Sequence, residues 1–61
     1  MKKIALEKHL RTYGCKFKRP GSKHEIWENK TGDKWSTVPR HREIKKYLCD
    51  KICKDLEIPL P

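Results

Sequence analysis

The residues best suited to chemistry in this chain are Gly21-Ser22-Lys23-His24, a tetrapeptide that ends in an imidazole. Imidazole takes up and releases protons near neutral pH. Metal-free cleavage of RNA needs such a group, because a base must remove the 2′-hydroxyl proton and an acid must protonate the departing 5′-oxygen. His24 is therefore a candidate general base. On residue type alone, a structural role for a histidine that begins a strand stays open.

Cationic side chains around His24 would stabilise the extra negative charge on a pentacoordinate phosphorus. The side chains that we expect to contact RNA are basic or carry a hydroxyl group: Lys18, Arg19, Ser22, Lys23 and Arg40. We expect His41 to contact a phosphate or to lie near the start of a helix rather than to transfer a proton. Other basic side chains are expected to be solvated, among them Lys2, Lys3, Lys45 and Lys51.

Charge and size limit the classes of function. The 61 residues include 16 Lys and Arg against 8 Asp and Glu, a net charge of +8 at pH 7. This balance favours polyanionic partners, because neutralised phosphates release their counterions. RNA, DNA, an anionic membrane and an acidic protein partner stay open. A chain of this length is expected to form one small domain, residues 1–61, with little core.

The cysteines and the N-terminal segment argue against several other classes. Cys15, Cys49 and Cys53 are odd in number and lack the Cys-x-x-Cys spacing of zinc or redox sites, so we expect small buried apolar residues. No metal or other cofactor is predicted. No stretch approaches the roughly 20 apolar residues of a membrane span, and charges interrupt the N-terminus before a signal-peptide core could form. The expected location is the cytoplasm, away from membranes.

Two amphipathic helices are expected to frame the site. Apolar residues recur at helical spacing over 2–13, with Leu6 and Leu10 facing the core and His9 hydrogen-bonded at its boundary. A second helix is predicted over 41–56, where an apolar residue recurs at every fourth position: Ile44, Leu48, Ile52 and Leu56.

Between the helices, alternating patterns predict three antiparallel strands over 15–19, 22–28 and 34–38. Pro20-Gly21 forms the first turn, in which the glycine supplies a left-handed conformation. The order α-β-β-β-α predicts an α+β two-layer sandwich, with a three-stranded antiparallel sheet and both helices on one face. Double-stranded-RNA-binding domains have the same layout.

The second hairpin decides which side chains share a face of the sheet. A three-residue loop closed by Asn29 and Asp33, with Gly32 in the left-handed position, is predicted. The cross-strand pairs that follow are Trp27 with Trp35, Ile26 with Ser36 and His24 with Val38. We expect the inward-facing side chains to include Phe17, Ile26 and Val38.

The chain resembles the HicA family, the small RNA-cleaving toxins of type II toxin–antitoxin pairs. The resemblance rests on Tyr13-Gly14-Cys15 at the end of the first helix, on Gly21-Ser22-Lys23-His24, and on Val38-Pro39-Arg40-His41 before the last helix. It implies the α-β-β-β-α sandwich, an mRNA interferase with His24 as the catalytic residue, and a HicB antitoxin that masks the site. Two positions depart from the family pattern. Lys23 stands where many members have a second histidine, and Ser36 replaces a hydrophobic residue of the third strand.

Two points stay open at the level of the sequence. Trp27 and Trp35 suit a docking patch for the antitoxin, which we favour, but also a stacking platform for unpaired bases or a cross-strand pair. The alternatives to an endoribonuclease are a non-catalytic double-stranded-RNA-binding module and a basic protein-interaction domain. A base acting on the 2′-hydroxyl predicts products with 2′,3′-cyclic phosphate or 3′-phosphate ends.

Overall fold

The computed structural model describes residues 1–61. The elements follow in the order α1 (Lys3–Thr12), β1 (Lys16–Pro20), β2 (His24–Glu28), β3 (Trp35–Pro39) and α2 (Lys46–Asp55). The strands form one antiparallel sheet in the order β1-β2-β3, so β2 is central and β3 is an edge strand. The predicted α+β sandwich and its element order are confirmed. No helix is long and apolar enough to cross a membrane.

One small core joins both helices to one face of the sheet. Its ten buried members are Leu6, Leu10, Cys15, Trp27, Val38, Ile44, Cys49, Ile52, Cys53 and Leu56. The three cysteines are free and buried, as predicted. Burial raises the pKa of Cys53 to about 11, which keeps this thiol protonated at neutral pH. The cysteines therefore act as small packing groups.

The end of α1 directs the chain into the sheet. Gly14 has a φ of +84°, and the Cys15 N–H reaches back to the Leu10 carbonyl at 2.9 Å. This is the six-to-one hydrogen bond of a Schellman motif, and it carries Cys15 directly into the core. On the same helix, His9 Nε2 lies 2.8 Å from the carbonyl oxygen of Pro59. The predicted hydrogen-bonded position of His9 is confirmed.

The second helix begins at Lys46, later than the predicted start at His41. The intervening chain is not helical, because the N-terminal backbone pairs with it through an isolated antiparallel bridge between Lys2 and Glu43. The Lys3 N–H donates to the Arg42 carbonyl at 2.8 Å, and the Ile44 N–H bonds back to the first residue at 2.8 Å. An earlier helix start would need that carbonyl for its own ladder. Ile44 is buried, as predicted, but it lies before the helix and not within it.

The hairpin between β2 and β3 has a longer loop than predicted. Asn29 pairs with Lys34, whose carbonyl accepts the Asn29 N–H at 3.0 Å. The Asn29 side chain holds this loop, since its Oδ1 accepts from the Gly32 N–H at 2.9 Å and its Nδ2 donates to Asp33 at 3.0 Å. Gly32 has a φ of +79° and so occupies the left-handed position that was predicted. The predicted three-residue loop is wrong.

The longer loop shifts the register of β2 against β3, so the predicted cross-strand pairs are wrong. The observed pairs are Trp27 with Ser36, Ile26 with Thr37 and His24 with Pro39. Trp27 is 1% exposed and points into the core, whereas Ile26 alternates to the outer face, against the prediction. Phe17 shares the inner side with Trp27 but lies on the edge strand β1 and keeps 47% of its surface exposed. Val38 is buried, as predicted.

Candidate active site

His24 is the first residue of β2, and its side chain is exposed. The turn before it is closed by the Gly21 N–H, which donates to the His24 carbonyl at 2.7 Å. Gly21 does not have the left-handed conformation that was predicted. Glycine is needed here for another reason: a Cβ at this position would lie 3.0 Å from the His24 carbonyl oxygen. The glycine therefore permits the tight loop that presents His24.

Arg40 ties the end of β3 to this loop. Its Nη2 donates to the Gly21 carbonyl at 2.9 Å. Both backbone groups of Gly21 are thus used, one by His24 and one by Arg40. The guanidinium keeps further N–H donors, since it carries five in total. The structure places Arg40 as a brace for the His24 loop as well as a surface cation.

His24 lines a groove together with a second histidine. The groove has a volume of about 380 Å³, and its basic side chains are Lys23, His24, His41 and Lys51. Residues of β3 form one wall, and Leu48 and Ile52 of α2 supply the apolar part. No carboxylate lines this histidine groove. A phosphate entering it would therefore meet basic and neutral lining side chains, and the carboxylate bonded to that lining, Asp55, is already held by Lys51 at 3.0 Å and by Ser36 at 3.3 Å.

The chain after β3 divides the histidine groove from a second cavity. Side chains alternate along this segment: Pro39 and His41 line the histidine groove, whereas Arg40 and Arg42 line a cavity of about 660 Å³. The predicted RNA contacts are divided accordingly. Lys23 shares the groove with His24. Three others are exposed and line neither cavity: Lys18, Arg19 and Ser22.

The sequence did not place two of the groove residues, His41 and Lys51, beside His24. His41 was expected near a helix start, where its side chain would have had no fixed relation to His24. Its place becomes predictable only once the segment before α2 is known not to be helical. Lys51 carried no signal beyond a solvated lysine, and its Nζ also donates to Asp55 Oδ2 at 3.0 Å. The positions of His41 and Lys51 in the groove both depend on how α2 packs beside β3.

Of the two tryptophans, only Trp35 is exposed enough to contact a partner. Trp27 is 1% exposed, and its ring is covered by the Arg11 guanidinium at 5.2 Å and by Phe17 edge-on at 6.3 Å. The prediction that Trp27 contacts an antitoxin is wrong, because the register turns its indole into the core. Trp35 is 60% exposed on the outer face of the sheet. His24 alternates to that same face, at the other end of the strands.

A charged network under β2 anchors the strand that carries His24. Trp27 Nε1 donates to Glu25 Oε1 at 3.0 Å, and Lys3 Nζ reaches the same oxygen at 3.1 Å. Burial acts to raise the pKa of Glu25, but these two hydrogen bonds together with the charges of Lys3 and Arg40 outweigh it and leave the pKa below its ordinary value. Burial likewise acts to lower the pKa of Lys3, but its bonds to Glu7 and Glu25 leave that pKa raised. The network joins α1 to the inner face of the sheet.

The site therefore combines an exposed imidazole, a second imidazole and two lysines in one groove. No group of three or more histidine, cysteine, aspartate or glutamate side chains is placed to hold a metal ion.

Comparison with known proteins points to one family. The family model for the HicA toxin of bacterial toxin–antitoxin systems matches residues 5–58, which include the whole sheet, the Gly21–His24 loop and α2. No curated protein and no solved structure matches significantly. With nearly the whole chain matched, this protein belongs to the HicA toxin family.

Proposed function

We propose that this toxin is a metal-independent endoribonuclease that cleaves mRNA, with His24 as the general base. The observation that carries the proposal is the exposure of His24 in a groove that holds lysines and no carboxylate. Such a groove suits a phosphodiester, which brings a negative charge and needs a proton acceptor near its 2′-hydroxyl.

The chemistry follows from the position of the imidazole. His24 removes the proton of a ribose 2′-hydroxyl, whose oxygen then attacks the adjacent phosphorus. Lys23 lies in the same groove and stabilises the charge that accumulates on the phosphoryl oxygens. The products carry a 2′,3′-cyclic phosphate, or a 3′-phosphate after its hydrolysis, and a free 5′-hydroxyl.

Message binding involves the basic rim outside the groove. Arg19 lies opposite Ile26 on the outer face of the sheet, the face to which His24 also alternates. Lys18 and Ser22 are exposed on either side of the turn. Together with Arg40 they form a path of donors that a single strand of RNA could follow to His24.

We also propose that a HicB-like antitoxin covers this outer face. Trp35 is the large exposed apolar side chain on that face, 60% open. It lies opposite Glu28, four residues along β2 from His24, or roughly 13 Å by strand geometry. A partner docked on Trp35 would therefore reach the catalytic histidine and exclude RNA.

The function is tested with purified protein, EDTA and an end-labelled transcript. We expect cleavage by the unaltered protein and a loss of at least about a hundredfold for His24→Ala, the usual size of a lost general base. Lys8→Ala, on the exposed side of α1 and outside both cavities, is the matched control and should cut normally. A substrate with 2′-deoxyribose at the scissile position should stay intact. Products with 3′-hydroxyl ends would contradict the mechanism.

A second candidate function is a non-catalytic double-stranded-RNA-binding module. It is favoured by the α-β-β-β-α order and by β1, an exposed strand that carries Lys16, Lys18 and Arg19. The same experiment separates the two, because a binder would retard duplex RNA and leave every strand intact.

A further inference from the structure

We propose that His41 is the general acid that protonates the departing 5′-oxygen while His24 accepts the 2′-proton. This inference rests on the proposed endoribonuclease function. It starts from one observation: His24 and His41 come from different elements, and both line the histidine groove. Cleavage needs two proton transfers on opposite sides of one phosphorus, and a single imidazole serves only one side at a time.

Register places the two histidines in a defined relation. His24 lies directly opposite Pro39, the last residue of β3. His41 follows two residues later and lines the same groove as Pro39, whereas the intervening Arg40 lines the other cavity. Pro39 is therefore a neighbour of both imidazoles, of His24 across the strands and of His41 along the chain, and a phosphate held over Pro39 would have both rings beside it.

Both ends of the segment that carries His41 are anchored. On one side, Arg40 donates to the Gly21 carbonyl in the turn that presents His24. On the other side, the Arg42 carbonyl accepts the Lys3 N–H at 2.8 Å. The loop before β2 and the segment after β3 are thus braced against each other. Such a framework can keep an acid and a base at a constant separation.

The surroundings suit an anionic substrate between the two rings. Lys23 and Lys51 also line the groove, and Lys51 is the one already paired, with Asp55. The guanidinium groups of Arg40 and Arg42 flank His41 in sequence but line the other cavity. Lys23 is therefore the free cation available to the phosphoryl oxygens.

The step balances in atoms and charge. The bond from O2′ to phosphorus forms as the 2′-proton passes to neutral His24. The bond from phosphorus to O5′ breaks as protonated His41 transfers its proton to that oxygen. The products are the 2′,3′-cyclic phosphate and a 5′-hydroxyl, and the two histidines finish with their protonation states exchanged.

The test uses two substrates that differ only in the leaving atom. One is an ordinary oligoribonucleotide, and the other carries sulfur in place of the scissile 5′-oxygen. A thiolate leaves without being protonated, so its departure does not need the acid. We expect His41→Ala to cut the ordinary substrate at least about a hundredfold more slowly and the sulfur substrate at nearly the rate of the unaltered protein. His24→Ala should be slow on both.

Two further variants serve as controls for folding and for the segment that carries His41. His41→Asn should behave like His41→Ala and guards against a folding defect, which thermal unfolding of each variant also checks. Glu43→Gln is the matched control from the same segment, since its side chain is 69% exposed and lines the other cavity; it should cut both substrates normally.

Three results would overturn the role of His41. They are normal cleavage of the ordinary substrate by both His41 variants, equal slowing on the two substrates, and rescue of His24→Ala by sulfur. Failure of the unaltered protein to cut either substrate is distinguishable from these, because it removes the proposed function itself.

Discussion

Gly21 illustrates how one backbone position sets the candidate site. Its N–H closes the loop on His24, its carbonyl accepts from Arg40, and it has no Cβ to meet the His24 carbonyl. Glycine is thus needed at the first position of the tetrapeptide because a Cβ would not fit there, and not because the backbone is left-handed. Its last residue is the imidazole that this space positions.

Replacing Gly21 by alanine should separate positioning from stability. The added carbon would lie 3.0 Å from a backbone oxygen, so the loop must shift and move His24 away from its place beside Pro39. We expect transcript cleavage to fall at least about tenfold, because small displacements of reacting groups are costly. Initial rates on the labelled transcript measure the effect.

Gly32→Ala is the comparison for this prediction. Gly32 has a φ of +79°, so alanine there should cost about 1 kcal/mol of unfolding free energy and leave the rate of the folded protein unchanged. Equal loss of rate in the two variants would mean that Gly21 matters for stability alone.

At the level of elements, the β2–β3 hairpin decides which face carries which side chain. The Asn29 side chain accepts from loop amides and donates to Asp33, so the loop accommodates one more residue than the pattern of turn residues suggests. That residue turns Trp27 inward and leaves Trp35 outward. The core and the proposed docking face therefore depend on one buried amide.

Asn29→Ala should destabilise the whole fold. It removes acceptors from the Gly32 and Lys34 N–H groups, bonded at 2.9 Å and 3.3 Å, and the expected loss is about 1–2 kcal/mol. Urea unfolding followed by tryptophan fluorescence measures it. Lys30→Ala, in the same loop and exposed, should change stability by less than about 0.5 kcal/mol. If Asn29→Ala leaves the free energy of unfolding unchanged, the backbone alone sets the register.

On the scale of the whole molecule, a small core and a high positive charge make stability sensitive to partly buried ion pairs such as Lys3–Glu25. Ten buried apolar residues hold two helices on the sheet. The bonds of Glu25 to Lys3 and Trp27 add a polar link between α1 and β2. The pKa of Glu25 is lowered despite burial, because those two donors favour the charged carboxylate.

Glu25→Gln should therefore destabilise the protein in a pH-dependent way. A carboxyl group whose pKa falls on folding stabilises the protein above its unfolded value, near 4.5, and loses that contribution as the pH drops through the folded value. We expect a deficit of about 1 kcal/mol at neutral pH that narrows below about pH 4. Urea unfolding at several pH values tests this.

Glu43→Gln is the control for the acid series, since the Glu43 carboxylate is 69% exposed and lies 3.7 Å from the terminal amine. The free energy of unfolding of Glu43→Gln should stay within about 0.5 kcal/mol of that of the unaltered protein at each pH. If the loss of unfolding free energy in Glu25→Gln stays constant with pH, the substitution has removed packing interactions and not a charge interaction.

The sequence by itself determined what depends on neighbouring residues. Helical spacing predicted the cores of both helices, the turn residues located the two hairpins, and Gly21-Ser22-Lys23-His24 placed the imidazole at the start of the central strand. The burial of the cysteines followed from their number and spacing. Each of these is a local preference, readable over a few positions.

Only the tertiary structure decided what depends on distant partners. The N-terminal backbone keeps the chain around His41 out of the second helix, and the Asn29 loop sets the register that buries Trp27. Both arise from hydrogen bonds between distant residues that no local periodicity encodes, and a shift of one residue in the register turns the side chains of a strand to the other face. The pairing of His24 with His41 in one groove is a consequence of those two choices.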